Sequence, residues 1–169
     1  MMTPEYIQTL RRLMEFEASR TEPPEAFPAL PDIPAGRYVD PRFYALEQEH
    51  VWGKSWLLAA HIDEIPEPGC YMLWENAGEP VVIVHADSGS VNAFYNTCSH
   101  RGAPVVTEAS GKSRRLTCQY HGWSYDHEGA LRGMRDPADF RDFDMSCRGL
   151  KTVRCEQLGN LIFVNFDPA

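Results

Sequence analysis

The sequence has no run of about 18 consecutive apolar residues, the minimum for a helix that crosses a bilayer, so no membrane span is expected. Its start, MMTPEYIQTLRRLMEF, lacks a basic stretch followed by a purely apolar one, which argues against a secretory signal and leaves the cytoplasm as the expected location. Positive charge is short as well. Sixteen lysines and arginines stand against 24 aspartates and glutamates, a net charge of -8. That balance repels phosphate backbones and anionic lipid, so nucleic acid and membrane are poor partners. A basic protein face is a better one, unless the charge serves only solubility. Cysteine is scarce and odd in number (Cys70, Cys98, Cys118, Cys147 and Cys155), which does not make a disulfide framework. In a reducing compartment, cysteines close to histidines point to metal instead.

What is present suffices for a core: 43% of the 169 residues are hydrophobic and 24% charged, so disorder is not expected. Residues 3–20 read as a helix. Thr3 can cap it, Pro4 suits its first turn and Glu5 favours the positive end of its dipole. Tyr6, Leu10, Leu13 and Met14 share one face, a packing or oligomer contact. Residues 21–41 read as a linker, because Pro23, Pro24, Pro28, Pro31, Pro34 and Pro41 deny backbone donors to any ladder. A second helix is expected from the cap Asp40 and Pro41, ending at Gly53, with Phe43, Leu46, His50 and Val51 on one face and His50 packed in the core.

From Ser55 the pattern changes to short apolar stretches divided by turns. Strands are expected at 55–60, 70–75, 80–85, 91–96, 114–117, 123–126, 130–132, 151–156 and 160–166. Many short strands with close turns predict an all-β fold of antiparallel sheets, a sandwich or barrel.

Two segments carry chemistry: CSHRG at 98–102 and CQYHGW at 118–123. Each holds one cysteine and one histidine, each follows a predicted strand, and 17 residues separate His100 from Cys118. Gly102 and Gly122 allow a tight turn beside each pair. Two loops at one end of a small β domain can therefore close on one metal site. Thiolates are soft and negative; neutral imidazoles carry no charge. An iron–sulfur cluster with two thiolates on one iron (Cys98 and Cys118) and two imidazoles on the other (His100 and His121) is less negative and easier to reduce than an all-cysteine one. A tetrahedral zinc with two cysteines and two histidines, a redox disulfide between Cys98 and Cys118, and chance pairing are the competing readings at this point.

The pattern C-x-H, a gap of 17, then C-x-x-H-G-W resembles the Rieske [2Fe–2S] domain of ring-hydroxylating oxygenase α subunits. The flanks extend the resemblance over nearly the whole chain: DPRFYALEQEHVWGKSW, CYMLWENAGEPVVIVHA, SVNAFYNTCSHRG and LGNLIFVNFDP. The resemblance implies Rieske-type stacked antiparallel sheets with a two-loop cluster-binding subdomain, preceded by two short helices. It implies an N-terminal helix and proline-rich arm over 1–40 and a Rieske domain over 41–169, with cluster loops at 98–104 and 118–124. It also implies Cys98, His100, Cys118 and His121 as cluster ligands and His100 with His121 as the electron-exit face. Arg101, Trp123 and Tyr125 are candidate supporting residues. Arg101 either pairs with an acidic group or is a plain surface arginine; Tyr125 either donates to a cysteine sulfur or packs in the core.

Respiratory Rieske proteins add a disulfide between the loops and a serine two residues after the second histidine. Here that position is Trp123, and no extra cysteine is present. Fewer donors to sulfur place the expected potential at the low end of the Rieske range, roughly −150 mV. A stand-alone Rieske ferredoxin is the closer rival, though it is not expected to carry the first 50 residues. In an α subunit a larger domain follows, holding a mononuclear Fe(II) through two histidines and a carboxylate. The chain stops at NFDPA, and His50, His61, His85 and His127 show no such spacing, so this catalytic domain is read as absent. The chain alone is not expected to hydroxylate substrate; the resemblance implies that it relays electrons to a mononuclear non-heme iron that activates O2, in a mono- or dioxygenase of the aromatic-ring-hydroxylating type that serves aromatic compound catabolism. The implied partners are a reductase or ferredoxin and the mononuclear-iron domain of a neighbouring subunit in an α-subunit trimer.

Overall fold

A computed structural model of the chain describes residues 3–24 and 26–168. Residues 1, 2, 25 and 169 of the expected ranges lie outside the described residues. The chain falls into two compact units, Met1–Ala35 and Gly36–Ala169.

In the first unit, α1 spans Pro4–Ser19. The Thr3 side chain accepts the Tyr6 N–H and Pro4 opens the first turn, as the sequence predicts. No residue of α1 is buried, so its apolar face, Tyr6, Leu13 and Met14 included, is exposed.

The second unit opens with a helical turn the sequence did not suggest, α2 (Gly36–Val39), inside the expected linker. The residues after Pro34 are free of proline until Pro41, which is room enough for one turn. Helix α3 (Pro41–Glu47) follows, capped by Asp40, whose Oδ1 accepts the Arg42 N–H. Among the described residues there are therefore three α-helices rather than two. The expected single helix to Gly53 also changes character: Gln48–Trp52 is a π-helical turn. The wider turn rotates the later residues off the face set by Phe43. His50 is exposed rather than packed in a core, and Leu46 and Val51 are exposed with it.

The rest is mostly antiparallel sheet, with short 3-10 turns and irregular connections. Strands β1 (Leu57–His61), β2 (Cys70–Trp74), β3 (Val81–His85), β4 (Val91–Tyr95), β5 (Ser110–Lys112), β9 (Thr152–Leu158) and β10 (Leu161–Asn165) form one seven-stranded sheet. Its order is β1-β10-β9-β4-β3-β2-β5. Strands β6 (Leu116–Thr117), β7 (Ser124–Tyr125) and β8 (Leu131–Gly133) form a second sheet in that order. Strand β5 lies where the sequence suggested none, and the predicted 114–117 strand shrinks to Leu116–Thr117. Ser-Gly-Lys has no apolar signal because all three side chains are exposed; main-chain pairing with Cys70–Met72 alone makes it an edge strand.

Strand β3 shows why the sheet is central. Val81, Val82, Ile83 and Val84 are all fully buried, so both faces are covered. Val81 and Ile83 pack with Trp74, Ala93, Ile162 and Val164. Val82 and Val84 pack on the other face with Phe94, Leu116, Tyr125 and Leu131, which brings the small sheet onto the large one. Cys98 and Cys118 belong to that second core. Among the described residues no helix is long and apolar enough to cross a membrane.

Candidate metal centre

The two loops spring from different sheets. The first leaves β4 of the large sheet; the second is the hairpin between β6 and β7 of the small one. They are nevertheless closed in the same way. Cys98 receives the Gly102 N–H on its carbonyl (2.9 Å) and donates its own N–H to Ala103 O (2.8 Å). Cys118 receives the Gly122 N–H (2.9 Å) and donates to Trp123 O (2.9 Å). Gly102 and Gly122 sit at φ +76° and +71°. A Cβ would meet nothing within 4 Å at either position, so it is the left-handed backbone rather than space that selects glycine.

The first loop is pinned at its base by a residue the sequence reading passed over. Asn96 is buried; its Oδ1 accepts the N–H groups of Val105 and Val106 (both 2.9 Å) and its Nδ2 donates to Val106 O (2.8 Å). One side chain thus ties the entry of the loop to its exit. The available signal was an asparagine placed directly after an apolar strand and two residues before Cys98.

The predicted ligands meet. The His100 and His121 rings lie 4.7 Å apart between centroids. Cys98 and Cys118 are both buried, and burial pushes the Cys98 thiol up, helped by the nearby Cys118 charge and opposed by bonds from Tyr125 and the His100 backbone. The His100 pKa is lowered, first by burial, then by the His121 and Arg101 charges. Its Nδ1 is buried without a hydrogen-bond partner among the described residues. A buried imidazole nitrogen with no donor or acceptor beside it is costly unless something binds there. Two soft thiols plus a nitrogen left free in this way fit a metal–sulfur group.

The supporting residues divide. Trp123 is buried and lies flat against His100, with centroids 4.7 Å apart and planes 6° from parallel. Phe140 and Phe143 meet Trp123 edge-on at 6.0 and 5.5 Å, an aromatic wall that no sequence period announced. Tyr120 lies against His121 at 3.8 Å and is exposed. Arg101 is exposed and makes no ion pair among the described residues.

Tyr125 does both things expected of it. It is fully buried, and its hydroxyl lies 3.1 Å from Cys98 Sγ, 3.0 Å from Ser99 Oγ and 3.2 Å from the Ser99 nitrogen. Counting protons orders these contacts. Ser99 N–H can only donate to the tyrosine oxygen. Ser99 Oγ donates its one proton to Arg148 O at 2.6 Å. The tyrosine proton is then shared between Ser99 Oγ and Cys98, and a thiolate is the stronger acceptor. Burial is the main reason that the Tyr125 pKa is raised, which keeps it a donor at neutral pH. Ser99 and the Arg148 carbonyl were not foreseen.

A family model for the Rieske [2Fe-2S] domain matches residues 55–153. The chain is 37% identical over 134 residues to the oxygenase subunit of glycine betaine monooxygenase from Chromohalobacter salexigens, covering 79% of this chain and 30% of the relative. It is 34% identical over 149 residues to the oxygenase subunit of carnitine monooxygenase from Escherichia coli K12, covering 86% and 40%. A solved structure of the quaternary ammonium Rieske monooxygenase CntA superposes with a TM-score of 0.74 at 30% identity, covering 80% of this chain and 40% of that one. The chain thus spans less than half the length of these relatives. Membership of the family implies a Rieske-type [2Fe–2S] cluster as the cofactor. The chain belongs to the Rieske [2Fe–2S] domain family and is homologous to the N-terminal part of Rieske oxygenase α subunits.

Proposed function

We propose that this chain is the electron-transfer domain of a Rieske oxygenase, with Cys98 and Cys118 on one iron of the cluster and His100 and His121 on the other. The observation that carries this reading is the pairing of the donors: thiol beside thiol in the core, imidazole beside imidazole nearer the surface, with His100 Nδ1 left free. When bound, such a cluster supplies a one-electron carrier whose potential is raised by its two neutral imidazoles. The protein's own part is to hold the two loops at fixed spacing, to keep the sulfur end dry and to present the histidine end. Cys98 and Cys118 are 3% and 2% exposed, so water is excluded from the thiol side. A reductase or ferredoxin is the donor, and the acceptor is a mononuclear iron in the catalytic domain of a neighbouring subunit.

The oxygenase reading is supported over a stand-alone ferredoxin by the extent of the match. The carnitine monooxygenase subunit aligns over 149 residues, well beyond the cluster segment at 55–153. Both relatives described above act on quaternary ammonium compounds, which favours that substrate class over aromatic rings for the oxygenase this domain serves. The test is elemental. Anaerobically purified protein is expected to hold two irons and two acid-labile sulfides per chain; one zinc and no sulfide would end the reading.

The chain alone is expected to form no hydroxylated product. The four remaining histidines are scattered and separately engaged: His61 caps a 3-10 turn, His85 bonds Ile65 O, His127 bonds Ser113 O, and His50 is exposed beside Glu49. Incubation of the loaded protein with reductase, oxygen and carnitine or glycine betaine should reduce the centre and leave the substrate intact. Turnover of the substrate by this chain would refute the division of labour.

Tyr125→Phe is expected to keep the iron and lower the potential. The lost donor bond stabilises the extra negative charge of the reduced state. A contribution of about 1 kcal/mol corresponds to roughly 40 mV for one electron. Protein-film voltammetry of the two forms reads the difference, and an unchanged potential would assign Tyr125 to packing alone.

A further inference from the structure

The loop segment reverses the charge of the chain around it. Residues 98–135 hold six lysines and arginines against three acidic residues, while the rest holds ten against twenty-one. Three of the six, Arg114, Arg115 and Arg132, line one cleft of about 880 Å³ together with Asp87, Ser113, Thr117 and Asp126. Two of these groups, Arg132 and Asp126, are already matched. Arg132 Nε donates to Asp126, whose other oxygen accepts the Glu128 and Ala130 N–H groups. Asp87 lies 3.5 Å from Nδ1 of the buried His127. Arg114 and Arg115 are exposed and make no ion pair among the described residues. Thr117, on the same wall, directly precedes the proposed ligand Cys118, so their Cα atoms are about 3.8 Å apart.

We propose that this arginine cleft is the docking surface for an acidic electron-donor protein. The proposal rests on the electron-transfer role argued above and adds where the donor sits and what charge it carries. An acidic partner is repelled by the net charge of the chain as a whole, whereas the segment that carries the loops is net positive and offers it attraction. Guanidinium groups bind carboxylates in two-point contacts, which fixes orientation as well as attraction. The acids interleaved in the cleft suit a mixed protein surface better than a uniform polyanion such as nucleic acid, which the net charge of -8 opposes. In the transfer one electron leaves the donor's reduced cluster and the loop-held centre gains it. The donor is oxidised, the acceptor is reduced, and no bond forms or breaks.

An acidic plant-type [2Fe–2S] ferredoxin is a suitable probe, because its potential lies below the Rieske range. Two quantities are measured on the wild-type chain and on Arg114→Glu/Arg115→Glu: the affinity for oxidised ferredoxin by calorimetry, and the rate of reduction by reduced ferredoxin in stopped flow. The double variant is expected to bind at least tenfold more weakly and to be reduced at least tenfold more slowly. The wild-type rate should fall steeply with salt and the variant rate should not. Reduction by a small uncharged photoreductant should be the same in both, which shows that the centre is intact. Unchanged affinity and rate would overturn the docking surface, and so would an equal loss in the exposed-helix control Arg11→Glu/Arg12→Glu. If the wild-type chain holds no iron or sulfide, the electron-transfer role falls, and the calorimetric comparison still decides the surface.

Discussion

Cys118→Ser is expected to bring iron and sulfide to near zero, whereas Cys147→Ser is expected to keep both. A thiolate is needed to hold iron in a sulfide cluster, and a serine hydroxyl stays protonated at neutral pH. Cys118 is 2% exposed, so no solvent molecule stands ready to replace the lost donor. The backbone of the loop does not depend on the sulfur. Its closure runs through the main-chain bonds from Gly122 to Cys118 and from Cys118 to Trp123, which serine leaves in place. The variant should therefore fold with an unchanged far-ultraviolet circular dichroism spectrum and lack the visible absorbance of the cluster. Cys147 is exposed, and its Sγ donates to Asp144 O at 3.2 Å, a bond that a serine hydroxyl can replace. Iron retained in Cys118→Ser, or lost in Cys147→Ser, would show that the ligand set is wrong.

The Cys98/His100 and Cys118/His121 pairs were legible as a candidate site because their signal is local. A cysteine, a histidine two or three residues on, and a glycine at positive φ are all read within one turn of chain. The central strands were legible for the opposite reason. Val81–Val84 is an unbroken apolar run because both faces of β3 are covered, and all nine expected strands lie within a few residues of observed ones. The rest depends on contacts that no short window contains. The edge strand Ser110–Lys112 exists only because Cys70–Met72 offers it main-chain partners. The π-turn at Gln48–Trp52 rotates the residues after it off the face set by Phe43, and no residue in the pattern announces that change of period. Phe140 and Phe143 reach Trp123 from an irregular segment without period. The Tyr125–Ser99–Arg148 arrangement joins residues up to 49 positions apart.

Trp123 and Tyr125 together explain how a hairpin of two-residue strands can support a rigid site. Strands β6 and β7 are too short to be stable alone. Leu116 faces Tyr125 across the pair, and both insert into the core shared with Val82, Val84 and Phe94 of the large sheet. The same Tyr125 ring that anchors the hairpin carries the hydroxyl that reaches Cys98 in the other loop. Packing and ligand support are thus one set of side chains, and the two loops keep their spacing without a covalent link; all five cysteines are free thiols.

Asn96→Ala is expected to destabilise the fold by about 3–5 kcal/mol, a large share of the 5–15 kcal/mol that holds a typical domain together. The substitution deletes three hydrogen bonds at once and strands the Val105 and Val106 N–H groups and the Val106 carbonyl. These groups have little access to water in exchange, because Val105 and Val106 are 1% and 8% exposed. Each stranded group costs about 1–3 kcal/mol, with some relief from relaxation of the loop. The Asn96 backbone bond to Pro80 O is untouched, so the damage is confined to the first loop, between Asn96 and Val106. That loop holds Cys98 and His100, and iron should leave the variant faster when a chelator is present. Asn92→Ala is the control. Asn92 Nδ2 makes one bond, to His127 O at 2.8 Å, and its loss should cost about 1 kcal/mol. Urea unfolding of the three proteins separates the cases. With a slope of about 1–3 kcal/mol per molar urea, Asn96→Ala should lower the midpoint by more than about 1 M and Asn92→Ala by much less. Equal midpoints for the two variants would show that the asparagine side chain at the base of the loop is not what ties its two ends together.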